Sequence, residues 1–276
     1  MPAVPDLSLI LPAFNEQARI ASTIREAYDY FRSRHLTVEI LVAADGTDGT
    51  REAAAGLCHE VPLLTVLGSS QRRGKGHGIR QAVRQAIGKW IGFADADNKT
   101  PFTEFDKFLP LLEQGCDAVI GSRGLSESRI ERPQRWYRRW GSRGFRVLLS
   151  ALIGLPDIRD TQCGFKFFQA PIARDLFARQ RIDGYMFDVE ILMLAARAGY
   201  SIKCVPVRWR DDADSRLELF RGNLRNLLDV LKIRFGSYPQ PLQFRNGAAG
   251  AGTPQPVASL VQSCVVESGV VQNKAA

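Results

Sequence analysis

The feature that most constrains this chain is an alternation. Short apolar runs recur through its first 122 residues, and a segment of helical or turn character follows each one. "LSLIL" (7–11) reads as a strand stopped by Pro12. Asn15 then caps a helix carrying Ile20, Ile24, Tyr28 and Phe31 at helical spacing. "VEILVAA" (38–44) is a second strand, followed by the turn "DGTDGT" and a helix through about His59. "PLLTVL" (62–67) is a third strand, ahead of a basic loop, "QRRGKGHG", and a helix from about Ile79 to Ile87. "KWIGFADADNKTP" (89–101) supplies a fourth strand. Thr100 and Pro101 start a helix to about Glu113, and "CDAVIGS" (116–122) is a fifth strand. Strands alternating with helices dictate an α/β fold: a mostly parallel sheet with helices on both faces. Ligands in such folds lie outside the carboxyl ends of the strands.

After Ser122 the texture changes. Residues 129–146 are dense in Arg and aromatics, "DIRDTQCGFKFF" (157–168) reads as turn then strand, residues 187–199 as helix and 201–209 as strand. A C-terminal amphipathic helix is expected over 217–235. Leu217, Phe220, Leu224, Leu227, Leu228, Leu231 and Phe235 share one face, with Arg221, Arg225 and Lys232 off it. That face reads either as ordinary packing on the core or as a membrane contact. Residues 246–276 lack any period and read as a weakly ordered tail. We expect one domain over 1–245, in two halves, 1–122 and 123–245.

Charge and cysteine content narrow the function classes. A net charge of +8 fits an anionic partner, a phosphorylated substrate or an acidic membrane surface, or simple solubility. Nucleic acid is not expected as a partner, because no recognised binding module is present. The five cysteines contain no CxxC and the three histidines are scattered, so neither a zinc cluster nor a disulfide framework is expected. A reducing, cytoplasmic location follows. The N-terminus lacks a basic start and a cleavage site, and the longest apolar run, "VLLSALIGL" (147–155), is too short to span a bilayer.

The chemistry-bearing stretch is "FADADN". Asp95 and Asp97 stand one residue apart at the end of a strand, so extended chain places both on one face. Mg²⁺ or Mn²⁺ takes hard oxygen ligands, commonly one or two carboxylates plus substrate phosphates. Taken alone, the pattern fits a metal pair and a polar strand end equally; a second such pair, Asp212 and Asp214, occurs further on. "RRGKGHG" is neither a P-loop nor a dinucleotide fingerprint. Lys75 reads either as a diphosphate contact at a helix start or as part of a solvated loop. Asp160, Gln162, Asp188 and Glu190 read as structural caps or arginine partners, with a direct role for Asp160 the competing reading.

Together, "LPAFNE", "RRGKGHGIRQAV", "FADAD", "VIGSR", "RDTQCGFKFF" and "YMFDVEIL" resemble family-2 glycosyltransferases of GT-A (Rossmann-like) fold. The likeness runs from about residue 7 to 235, and the motifs keep the family's order. It is closest to polyprenyl-phosphate glycosyltransferases acting on dolichyl phosphate, and "DTQCGFK" resembles the glucosyl branch more than the mannosyl one. The resemblance implies that Pro12, Phe14 and Glu16 hold the base and ribose. It implies that Asp97 is the direct metal ligand, with Asp95 nearer the nucleotide. Arg123 would meet the acceptor phosphate, Arg138 or Arg139 would make a second contact, and Arg216 would close over the phosphates. Ala43 and Ala44 stand where the family has paired acids, which leaves Asp45 or Asp48 for the base.

The implied activity is metal-dependent and inverting. A hexose, glucose before mannose, moves from UDP-glucose or GDP-mannose to a polyprenyl phosphate. The enzyme would sit peripherally on the cytoplasmic face of a membrane, with a homo-oligomer left open. One alternative keeps the chemistry with a soluble hydroxyl acceptor, which needs a base at Asp160 or Glu190. Another is a catalytically silent nucleotide-binding membrane adaptor.

Overall fold

The computed structural model describes residues 4–130, 153–155, 158–210 and 221–241. In chain order the elements are β1 (Leu7–Phe14), α1 (Gln17–Ser33), β2 (Val38–Asp45), α2 (Thr50–Ala55), β3 (Leu64–Leu67), α3 (Lys75–Gln85) and β4 (Trp90–Ala94). A 3₁₀ turn (Phe102–Lys107), α4 (Leu109–Glu113), β5 (Ala118–Ser122) and β6 (Arg129–Ile130) follow. Then come β7 (Phe165–Gln169), α5 (Ala170–Arg179), α6 (Phe187–Arg197), β8 (Ile202–Pro206), β9 (Arg208–Trp209) and α7 (Arg221–Phe235).

Among the described residues seven strands form one sheet in the order β3-β2-β1-β4-β7-β5-β8, and β6 pairs with β9 in a separate two-stranded ribbon. Every pairing in the large sheet is parallel except those of β7, which runs antiparallel to both β4 and β5. The expected α/β architecture is therefore present, with one reversed strand that the local pattern does not announce.

Strand alternation divides the core into two layers. Leu7, Leu9 and Leu11 of β1 and Val38, Ile40 and Val42 of β2 pack with Ile20, Ile24 and Phe31 of α1 and with Phe102, Phe105 and Phe108. On the other face Ile10, Leu41 and Phe93 meet Ile79 and Val83 of α3, the apolar residues of α5 and α6, and Val230 and Ile233 of α7. Full burial of each such large side chain is worth about 1.5–3 kcal/mol before conformational entropy is counted.

Several boundaries differ from expectation. β1 continues through Pro12 to Phe14, because its pairing with β4 ends at Ile10 and the missing N–H is not needed on that side. Asn15 takes a left-handed φ of 56°, so the cap position of α1 falls to Glu16. α2 ends at Ala55, and α3 begins earlier than expected, at Lys75. The helix expected from Thr100 is a 3₁₀ turn and a short helix, divided at Phe108 just ahead of Pro110. On α7, Val230 and Ile233 pack inward while Leu227, Leu228, Leu231 and Phe235 stay exposed. The leucine face is thus not the one that meets the core. Among the described residues Cys116, Cys163 and Cys204 are free thiols.

Candidate functional site

The carboxyl ends of β1, β2, β4 and β5 open on one edge of the sheet, and the reversal of β7 brings the 158–164 segment to the same edge. Phe14 and Asp45 are register partners at the ends of β1 and β2. Asp45 accepts N–H bonds from Ser69 (3.2 Å) and Arg73 (2.8 Å), which fixes the loop between β3 and α3. Arg72 from that loop lies over the Phe14 ring, its guanidinium carbon 4.2 Å from the centroid. Pro12 sits in β1 behind Phe14. The Glu16 N–H donates to Thr50 Oγ1 at 2.9 Å, joining the two strand-end loops. Asp48 accepts from the Thr50 hydroxyl (2.6 Å) and the Gln17 N–H (3.1 Å), so both acids at this strand end hold loop backbone.

Asp95 and Asp97 follow β4 directly. The Asp95 N–H donates to the Gly164 carbonyl at 3.0 Å, joining β4 to the arriving end of β7. Lys75, the first residue of α3, places its ammonium 2.6 Å from Asp95 Oδ1. Burial works against the Lys75 charge, but the carboxylates of Asp95 and then Asp188 outweigh it and raise the pKa. Lys75 is therefore a fixed cation at the α3 N-terminus, where the backbone N–H groups also favour an anion.

Arg123, just past β5, forms a fork with Asp160. Its Nε donates to Oδ2 at 2.7 Å, its Nη2 to Oδ1 at 2.9 Å and its backbone N–H to Oδ2 at 2.9 Å. Burial alone would raise the Asp160 pKa, but Arg123 holds it below the ordinary carboxylate range. Asp160 is thus a poor proton acceptor at neutral pH and a firm orienting partner for Arg123. Beneath this pair, buried Lys166 donates to Asp188 Oδ1 (2.6 Å) and to the Cys163 carbonyl (2.5 Å), tying β7 and α6 to the 160–164 loop. Burial, aided by the Asp160 carboxylate, pushes the Cys163 thiol up to about 12, which removes it as a nucleophile. Glu190 accepts from the N–H groups of Arg181 and Ile182 (both 2.9 Å) and from Tyr238 Oη (2.8 Å), so it builds a loop.

The structure brings together Pro12, Phe14, Glu16, Asp45, Lys75, Asp95, Asp97, Arg123 and Asp160 along one edge. Arg138, Arg139, Arg216 and the Asp212/Asp214 pair lie outside the described residues. Sequence reasoning missed Lys99, Trp209, Gly164 and Lys166. The last two sit in a quoted motif, "CGFKFF", whose glycine and buried lysine were signals left unused.

The donor chemistry at Asp95 and Asp97 fits a divalent cation. Both supply hard carboxylate oxygens, and the side-chain oxygen of Asn98 is buried beside them without a hydrogen-bond partner. Among the described residues no group of three or more His, Cys, Asp or Glu could by itself hold a metal ion. An ion held here would complete its shell with water or substrate oxygens.

Comparison with known proteins accords with this geometry. Residues 8–177 match the family described as Glycosyl transferase family 2. A dolichyl-phosphate beta-glucosyltransferase of Drosophila melanogaster is 34% identical over 242 residues, covering 83% of this chain and 74% of that protein. The Homo sapiens dolichyl-phosphate beta-glucosyltransferase is 31% identical over 249 residues, again covering 83% and 74%. Among solved structures, glucosyl-3-phosphoglycerate synthase from Mycobacterium tuberculosis, in complex with Mn²⁺, UDP and phosphoglyceric acid, superposes with a TM-score of 0.62. It is 23% identical and covers 84% of this chain and 79% of its own. That likeness concerns the fold.

Proposed function

This chain belongs to glycosyl transferase family 2 and is a glycosyltransferase, and from that premise we propose that it transfers glucose from UDP-glucose to a polyprenyl phosphate with inversion at the anomeric carbon. The observation that carries the acceptor assignment is the Arg123–Asp160 fork beside the Asp95/Asp97 pair. A guanidinium held by two parallel bonds at a strand end is pre-oriented for an anionic acceptor.

In this reading Phe14, Asp45 and Glu16 seat the base and ribose. Lys75 and the α3 N-terminus take the diphosphate. Asp97, with Asp95, would hold the divalent ion, Mg²⁺ or Mn²⁺; when bound, it neutralises charge developing on the departing diphosphate. Arg123 draws the acceptor phosphate alongside, with Arg138, Arg139 and Arg216 as further contacts. A phosphate monoester has a second pKa near 6, so at neutral pH it is already an ionised nucleophile and needs no general base. The engagement of Asp160 by Arg123 and of Glu190 by two backbone N–H groups supports this over a hydroxyl acceptor. Catalysis then rests on in-line orientation and charge neutralisation.

The division into a nucleotide half (1–122) and an acceptor half (123–245) belongs to the same proposal, as does peripheral attachment to the cytoplasmic face of a membrane. Among the described residues no helix is long and apolar enough to cross a bilayer. The exposed Leu227, Leu228, Leu231 and Phe235 of α7, with Arg225, Lys232 and Arg234 on the same helix, support a surface contact with anionic lipid.

The test incubates purified protein with Mn²⁺ or Mg²⁺, polyprenyl phosphate, and UDP-glucose or GDP-mannose in separate reactions. Lipid-linked glucose that disappears in Asp97→Ala is the expected result. Transfer only to a small soluble acceptor would overturn the acceptor assignment, and product only from GDP-mannose would overturn the donor.

A further inference from the structure

Lys99 stands two residues beyond Asp97 and engages both oxygens of its carboxylate. The Lys99 backbone N–H donates to Oδ1 at 3.3 Å, and its ammonium lies 3.0 Å from Oδ2. The two side chains are only 15% and 22% exposed, so the pair is largely withdrawn from solvent screening. On its other side the ammonium faces the Trp209 ring at 6.0 Å from the centroid, and the Lys99 carbonyl accepts the Arg210 N–H at 2.9 Å. The same ring carries the Arg123 guanidinium at 5.4 Å. Asp97, Lys99, Trp209 and Arg123 therefore form one continuous row from the carboxylate pair to the proposed acceptor arginine.

Each aspartate of the pair has its own lysine, and the two lysines are held differently. Lys75 sits on the first turn of α3, salt-bridged to Asp95 and close to the rings of Phe93 and Phe187. Lys99 sits on a loop beside Asn98, whose φ is +50°, and leans on a ring from the two-residue strand β9. The Lys75 ammonium thus has a carboxylate and two rings about it, the Lys99 ammonium a carboxylate and one ring.

We infer that Lys99 is the built-in counter-cation of Asp97. A divalent ion takes Asp97 in exchange for the Lys99 ammonium, which turns to the phosphate oxygens of the donor. This rests on the reading of Asp97 as the metal ligand. An ammonium and a divalent ion on one carboxylate repel each other, so ion and lysine compete until a diphosphate supplies new oxygens to both. Binding of the metal and of the nucleotide is then positively coupled, and the coupling is reciprocal. Lys99 is a positioning residue in this scheme. It keeps Asp97 in place and links metal loading to arrival of the donor.

The experiment measures Mn²⁺ binding by the full chain, counting free Mn²⁺ by electron paramagnetic resonance, with and without UDP. Wild type is expected to bind Mn²⁺ weakly alone and more tightly with UDP. Lys99→Met should tighten UDP-free Mn²⁺ binding by about tenfold and shrink the UDP effect by a similar factor. Lys99→Arg, which keeps the charge that competes with the ion, should stay within about twofold of wild type on both measures. UDP-free affinity that is unchanged or weaker in Lys99→Met overturns the inference, as does Lys99→Arg behaving like Lys99→Met. If Asp97→Asn binds Mn²⁺ with UDP as tightly as wild type, the metal reading of Asp97 falls and the inference with it.

Discussion

Gly164 and Asp95 occupy one shared space at the edge of the sheet. A Cβ built on Gly164 would lie 2.1 Å from Asp95 Oδ2 and 2.4 Å from Oδ1, while the Gly164 carbonyl accepts the Asp95 N–H at 3.0 Å. The glycine is what lets the carboxylate lie flat against the start of β7. Gly164→Ala should push the carboxylate away from Lys75 and lower kcat/KM by roughly tenfold or more. Overpacking at the site should cost about 1–3 kcal/mol of stability. Steady-state kinetics with urea unfolding check both, and a variant with wild-type kinetics contradicts the placement of Asp95 at the donor.

The Arg123–Asp160 fork predicts a split between substrates. Arg123→Lys keeps the charge but cannot form two parallel bonds. Its KM for the acceptor should rise by roughly tenfold, while the KM for the nucleotide sugar stays within about twofold. Asp160→Ala leaves the Arg123 charge without its carboxylate and should cost roughly 2–4 kcal/mol of stability, below the fully buried case because the guanidinium is 28% exposed. Bisubstrate kinetics with varied acceptor read the first effect and chemical unfolding the second.

At the opposite edge of the sheet, Glu39 is buried and accepts hydrogen bonds from the Ser8 hydroxyl and, at 3.0 Å, the Ile87 N–H. Burial raises its pKa against the lowering effect of those bonds. A carboxyl whose folded pKa is raised binds its proton more tightly in the folded state. Its contribution is present below the unfolded pKa, near 4.3, and is lost as pH rises through the folded value. Glu39 should therefore add a falling component to the stability–pH curve over that window, and Glu39→Gln should remove that component. Urea midpoints from pH 4 to 8 measure it, and equal slopes for the two proteins would rule out the Glu39 contribution.

The outward face of α7 predicts separable effects on binding and folding. Leu228 is 50% exposed and Leu231 37%, so Leu228→Asp with Leu231→Asp should change stability by about 1 kcal/mol or less. The same pair should abolish flotation with vesicles containing anionic lipid. Val230 is fully buried, and Val230→Ala should cost about 1–3 kcal/mol without changing flotation of the folded protein. Undiminished flotation of the double variant would remove α7 from the membrane contact.

The row of contacts from Asp97 to Arg123 shows where reading the chain alone stops. Asp95 and Asp97 were legible because a strand places i and i+2 side by side, and "FADAD" ends an apolar run. Lys99 was equally visible as a residue, but its role depends on Trp209, more than a hundred positions away and docked by the small β6–β9 ribbon. Asp160 was noticed, yet whether it served as a base or as the partner of Arg123 turned on a contact spanning 37 positions.

The alternation of strands and helices, the carboxyl edge as the place of the site, and the family were all readable from the order of residues. All three are written in local periodicity and in motifs a few residues long. Tertiary structure alone decided that β7 runs antiparallel, which carries Asp160 and Gly164 to that edge. It also decided that α7 turns Val230 inward and its leucines outward. Strand direction and helix rotation are set by which surfaces meet, and the buried area that fixes them is shared between segments distant in the chain.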